Sequence, residues 1–231
     1  MLKLRPILFI VITAGSIWHP ALADRVDARS LSRAAPNADP RVVALAFDAM
    51  TCAIAQGFPT SRRLAVIDYS RPSTQRRLWV FDLNESALLH EEWVAHGRNS
   101  GENFARTFSN TAGSLATSLG LFQTRDAYEG QNGYSLRLSG LEPGVNDQAM
   151  SRAIVIHGAA YVNPDRLPST GRLGRSWGCP AIRTAIAQPL INHLKDGQYV
   201  FAYYPDSQWL ATSPYLRCAS AHQQVFARAA R

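Results

Sequence analysis

The sequence predicts a mainly β domain with flanking helices, and three observations carry that reading. Short apolar runs with strand-like alternation recur between residues 64 and 204. Gly, Pro, Ser and Asn separate them, and only two stretches place apolar residues at helical spacing. A chain of 231 residues, 46% of them hydrophobic, suffices for one core and little more than one domain. No internal repeat interrupts it.

Residues 1–23 stand apart from the fold. Lys3 and Arg5 form a basic start, residues 6–18 are largely apolar, and Ala21 and Ala23 supply the small residues that a signal peptidase reads. This is a secretory signal peptide cut before Asp24, because the apolar run is too short for a spanning helix. No later segment is long and apolar enough to cross a bilayer. Export takes two of the 24 Lys+Arg residues and none of the 17 Asp+Glu, leaving 22 against 17, or +5. The basic excess suits an anionic polymer, but no stretch clusters five basic residues and no nucleic-acid-binding motif occurs. Nucleic acid is therefore not expected as a partner.

Residues 24–39 are polar and read as a mobile leader. Asp39-Pro40 fits an N-cap with proline in the first turn, and Val42, Val43, Ala46, Ala49, Met50, Ala53 and Ile54 continue a helix that Gly57-Phe58-Pro59 stops. Strands are predicted at 64–69 and 77–82, with continuation over 88–94. Residues 98–128, rich in Gly, Ser, Thr and Asn, read as a long loop, which in a compact domain usually serves binding. Strands at 134–138 and 153–156, a helix over 181–194 and a strand over 198–204 complete the domain at 40–216. A C-terminal tail occupies 217–231.

Cys52, Cys179 and Cys218 make an odd count in an oxidising compartment, so at least one is free, bridged to another chain or held for chemistry. A Cys52–Cys218 disulfide leaves Cys179 free; Cys52 as a small buried hydrophobe on its helix fits equally well. The stretch Ile154-Val-Ile-His157-Gly158 ends an apolar run in an imidazole. Gly171-Arg-Leu-Gly-Arg-Ser-Trp-Gly-Cys179-Pro180 sets a thiol in a glycine-bracketed turn. If Pro180 starts the next helix, its N-terminal dipole favours the thiolate. A histidine within reach of such a thiol serves acyl transfer. His90, His96, His157 and Cys179 lack the compact spacing of a zinc site, so neither metal nor cofactor is expected.

His157-Gly158 together with Ser176-Trp177-Gly178-Cys179 resembles the signature of L,D-transpeptidase catalytic domains of the YkuD type. Val94-Ala-His96-Gly97, Ser118-Leu-Gly120 and Gly140-Leu-Glu142 resemble strings of its murein L,D-transpeptidase branch, and the likeness runs from about residue 40 to 206. The resemblance implies a β-sandwich catalytic domain in the periplasm. It implies Cys179 as nucleophile, His157 as base, and Gly158 as the residue whose carbonyl orients the imidazole. Its implied substrate is the peptidoglycan stem peptide, cut between diaminopimelate and D-alanine to give 3-3 cross-links or, with water, carboxypeptidase action. N–H groups at Gly178 and Cys179 are the expected oxyanion donors. Arg175, Arg172, Arg152, His96, Ser118 and Trp177 are the expected substrate contacts. The chain departs from the pattern at Trp177, where the family carries a histidine, and at Ala181, where it carries a small polar or basic residue. The alternatives are a non-catalytic wall-binding protein and a cross-link hydrolase using the same thiol.

Overall fold

The structure, a computed structural model, describes residues 26–218. The stretch read as a signal peptide and nearly all of the segment read as a C-terminal tail lie outside the described residues. Nine strands form a single sheet: β1 (Arg63–Asp68), β2 (Leu78–Asp82), β3 (Ala87–Glu92), β4 (Val94–Ala95), β5 (Gly120–Gly130), β6 (Gly133–Gly140), β7 (Val155–Gly158), β8 (Ala181–Ile182) and β9 (Tyr199–Tyr203). Their order is β3-β2-β1-β9-β5-β6-β7-β8-β4. Edge strands β3 and β4 are separated in the chain by Trp93 alone, so the two ends of the sheet must come together. The sheet therefore curls into a near-barrel, and the two faces of the expected sandwich are opposite walls of one sheet.

Helices α1 (Ala28–Ala34), α2 (Pro40–Ala55), α3 (Leu167–Thr170), α4 (Thr184–Leu194) and α5 (Ser207–Thr212) accompany the sheet among the described residues. Helix α2 begins as the sequence predicts, with Asp39 accepting from the Arg41 N–H and Pro40 in the first turn. It packs on β1, β5 and β9, while α4 packs on β7, β6, β5 and β1. Cys52 on α2 is joined to Cys218, with Cα atoms 6.0 Å apart, so of the two readings of Cys52 the disulfide is the one realised. That bond ties the second helix to the last described residue.

Three expectations are corrected. The segment read as a leader holds a helix rather than irregular chain: Asp27 and Ser30 close a capping box on α1, and Leu31 is fully buried in the main core. Residues 98–128 are not loop throughout, since β5 starts at Gly120 and pairs with both β6 and β9. The segment after Pro180 is strand before it is helix; Ala181–Ile182 pairs with β7 and β4, and α4 starts only at Thr184.

Candidate active site

Strands β7 and β8 run parallel, with His157 opposite Ala181. Cys179 stands two residues before that partner, and its Sγ lies 3.5 Å from the Val155 N–H donor. Cys179 Sγ also lies 3.7 Å from the Ala153 carbonyl oxygen, so the thiol is anchored on the residues of the β7 entry that lead to His157. Cys179 and His157 line a cavity of about 500 Å³ with Gln131, Asn132, Tyr161, Arg175, Ser176 and Trp177.

The turn that carries the thiol is tied down at Ser176, Gly178 and Cys179. Ser176 donates its N–H to the His96 carbonyl at 2.9 Å, and its own carbonyl accepts from the Arg98 N–H at 2.8 Å. The Ser176 hydroxyl donates to the Cys179 carbonyl at 2.6 Å and accepts from the Gly178 N–H at 3.1 Å. Thr117 Oγ1 donates to the Gly178 carbonyl at 3.2 Å. With the Gly178 N–H occupied by Ser176, the Cys179 N–H is the turn's remaining candidate oxyanion donor.

Gly178 adopts φ +126°, and a Cβ there would sit 2.9 Å from the Ala116 carbonyl oxygen. Only glycine fits this backbone. Gly178→Ala is expected to lower the unfolding free energy by about 2 kcal/mol, read from a denaturant midpoint, and to slow thiol labelling in the folded protein.

His157 is oriented by its neighbour: Nδ1 lies 3.0 Å from the Gly158 carbonyl oxygen. A carbonyl only accepts, so Nδ1 carries the proton and Nε2 is left basic. Burial pushes the His157 pKa below the ordinary 6.5, and the Gly158 bond offsets part of this. Burial also pushes the Cys179 thiol above its ordinary 9.0, against smaller lowering from the Val155 N–H and Arg152. At neutral pH the pair thus rests as thiol and neutral imidazole. The thiolate expectation is corrected for a structural reason: Cys179-Pro180 leads into strand β8, and the helix whose start was to favour the thiolate begins only at Thr184. We expect iodoacetamide labelling of Cys179 to keep rising through pH 9, because the thiolate fraction grows until pH passes the raised pKa and levels off only above it. A labelling rate already flat at pH 7 would refute the neutral resting pair.

The expected substrate contacts divide. Trp177 is 74% exposed at the cavity mouth, and Arg175 lines the same cavity. Arg175 Nη1 is held by Glu102 Oε1 at 2.7 Å and by the carbonyls of Arg98 and Gly101 at 3.1 Å. Arg152 reaches the cavity, but its fork donates to the Ser109 and Ala116 carbonyls and to the Ser114 and Ser118 hydroxyls. It fastens the 109–118 segment beneath the thiol.

Ser118 is corrected from a contact to a buried member of that fastening. Arg172 lines a neighbouring cavity and pairs with Glu102 at 2.8 Å. His96 is corrected too: it is only 1% exposed, accepts at Nδ1 from Arg77 at 2.7 Å, and is held neutral with a pKa lowered to about 4 by burial and the Arg77 charge. Arg183, the first basic residue after the cysteine, turns to Glu92 at 2.8 Å. Ser176, Thr117, Tyr161 and Arg77 escaped sequence reasoning. Of these only Ser176 lies in a motif.

The sequence matches the family model described as L,D-transpeptidase catalytic domain over residues 34–203. No curated protein matches the sequence. Among solved structures, an L,D-transpeptidase from Mycobacterium smegmatis aligns at 12% identity and TM-score 0.39, covering 62% of this chain and 59% of that chain. The L,D-transpeptidase (residues 123-326) from Xylanimonas cellulosilytica aligns at 17% identity and TM-score 0.36, covering 66% and 68%. The helical cell shape determining protein of Campylobacter jejuni aligns at 12% and 0.41, covering 78% and 64%. This chain thus spans about three fifths of the length of the M. smegmatis structure.

Proposed function

We propose that this chain, which belongs to the L,D-transpeptidase catalytic domain family, performs cysteine-dependent acyl transfer on the tetrapeptide stems of peptidoglycan. The observation that carries the reading is the Cys179–His157 pair in one cavity, with the imidazole tautomer set by the Gly158 carbonyl. Neutral resting partners call for general-base attack. His157 Nε2 takes the thiol proton as Cys179 Sγ adds to the carbonyl at the L centre of the third stem residue. The oxyanion forms beside the Cys179 N–H. Collapse expels D-alanine, whose amine takes the proton from His157, and leaves a thioester on Cys179. The side-chain amine of a second stem then attacks to give a 3-3 cross-link; water in its place gives a tripeptide.

The Cys52–Cys218 bond supports an oxidising, extracytoplasmic setting, and we assign the protein to the periplasm on that basis and on the signal peptide reading. No helix among the described residues is long and apolar enough to cross a membrane. Incubation of the mature protein with purified disaccharide-tetrapeptide, followed by mass analysis, tests the reading. Dimers lacking one D-alanine mark transfer and tripeptide monomers mark hydrolysis. Unchanged substrate with no adduct on Cys179 refutes both.

A further inference from the structure

We propose that the cavity beside the thiol chamber, lined by Tyr161, Asn163, Arg166, Thr170, Arg172 and Gly174, is the subsite for the second, acceptor peptide and recognises a carboxylate on it. This rests on the acyl-transfer reading and supplies the binding site that its second half-reaction requires. The cavity measures about 340 Å³ and shares Tyr161 with the thiol chamber as a common wall. Its lining includes two guanidinium groups and no carboxylate.

Which arginine receives an anion depends on what already holds it. In the thiol chamber Arg152 gives both Nη groups to protein acceptors, and Arg175 is held through Nη1 by Glu102 and by the Arg98 and Gly101 carbonyls. Arg172 is partly held, through Nε by Glu102 and through Nη1 by the Leu173 carbonyl. The Arg166 guanidinium has neither ion pair nor hydrogen bond among the described residues, and the adjacent acid Asp165 does not pair with it. Asn163 uses its Oδ1 to accept from the Asp165 N–H at 2.9 Å, while its Nδ2 donors have no acceptor among the described residues. An unengaged fork beside an unengaged amide fits a carboxylate.

Position selects the acceptor as occupant. The cavity is built on the segment that leaves His157, and that segment is anchored by Ala159 N–H to the Ile182 carbonyl at 2.9 Å and by Gly174 N–H to the Tyr161 carbonyl at 3.0 Å. Val162 and Leu173 pack on Ala95 and Ala181 beneath it. An acceptor held there presents its amine from the His157 side. As the amine attacks, the thioester C–S bond breaks, the amide C–N bond forms, and the amine proton passes to His157 and on to the Cys179 sulfur.

The test uses the mature chain, a tetrapeptide donor with its side-chain amine acetylated, and a tripeptide acceptor at varied concentration. Arg166→Gln is expected to raise the acceptor concentration for half-maximal cross-linking by at least about tenfold. Thioester formation, read by intact mass without acceptor, stays within about twofold of wild type, and Arg166→Lys restores part of the loss. An acceptor with amidated carboxylates is expected to bind weakly and to be indifferent to Arg166→Gln. An unchanged ratio of transfer to hydrolysis, in Arg166→Gln and in the double variant with Asn163→Ala, overturns the subsite. A parallel fall in thioester formation does so as well, because it assigns the cavity to the donor. A wild-type protein that forms no thioester overturns the acyl-transfer reading and this inference with it.

Discussion

Cys179→Ala is expected to eliminate the acyl-enzyme and to cut D-alanine release by at least about a thousandfold. The size follows from the chemistry assigned to the sulfur. Without a nucleophile there is no thioester, and the cavity keeps only positioning and one oxyanion donor. Cys179 is partly buried at the rim of the main core, so removing its sulfur leaves little void and the fold is expected to survive. His157→Gln is expected to fall less far, by about a hundredfold, because the thiol persists and only its base is lost. Intact-protein mass and D-alanine release with purified disaccharide-tetrapeptide give both readouts. Release by Cys179→Ala at the wild-type rate would remove the nucleophile from the mechanism.

Arg77→Ala is expected to cost about 3 kcal/mol of stability without touching any group that contacts substrate. Arg77 is fully buried, and its guanidinium donates to the Val94 carbonyl at 3.0 and 2.8 Å, the Arg71 carbonyl at 2.8 Å and His96 Nδ1 at 2.7 Å. It also lies 5.1 Å from the centre of the Tyr69 ring. Truncation strands two buried acceptors, the Val94 carbonyl and His96 Nδ1, each costing about 1–3 kcal/mol, while relief of the buried charge returns part of the sum. Burial lowers the Arg77 pKa to about 10, so the cation persists at neutral pH and the direction of the effect holds there. The denaturant midpoint reads the loss. Because His96 Nδ1 loses its donor while the His96 carbonyl supports Ser176, thiol labelling should also become more heterogeneous. An unchanged midpoint would show that the buried network adds nothing net.

Much of the fold was legible because local rules and tertiary packing agree. Asp39-Pro40 and the stripe from Val42 to Ile54 form a helix in any context that buries the stripe. Strand β5 was hidden for the opposite reason: Gln123, Thr124, Arg125 and Asp126 break the apolar alternation, and a bulge between Thr124 and Ala127 shifts the register. At the other end of the site, Ala181-Ile182 continues the helical stripe of Ala185 and Ile186 in sequence. Pairing with His157 and Gly158 makes it a strand. In α1 a single apolar side chain, Leu31, anchors a polar segment, too weak a signal to outweigh its composition.

The sequence by itself picked out the candidate residues: a thiol between Gly178 and Pro180, an imidazole before Gly158, and an odd cysteine count that leaves one sulfur unbridged. These were readable because glycine at a left-handed turn and histidine at a strand end are local requirements. Only the tertiary structure decided the protonation state of the thiol, since that depends on burial and on whether a strand or a helix follows it. The tertiary structure also sorted the arginines. Arg77, Arg152, Arg166 and Arg175 look alike in the chain, and their roles follow from which acceptors the curled sheet and its loops bring to each fork.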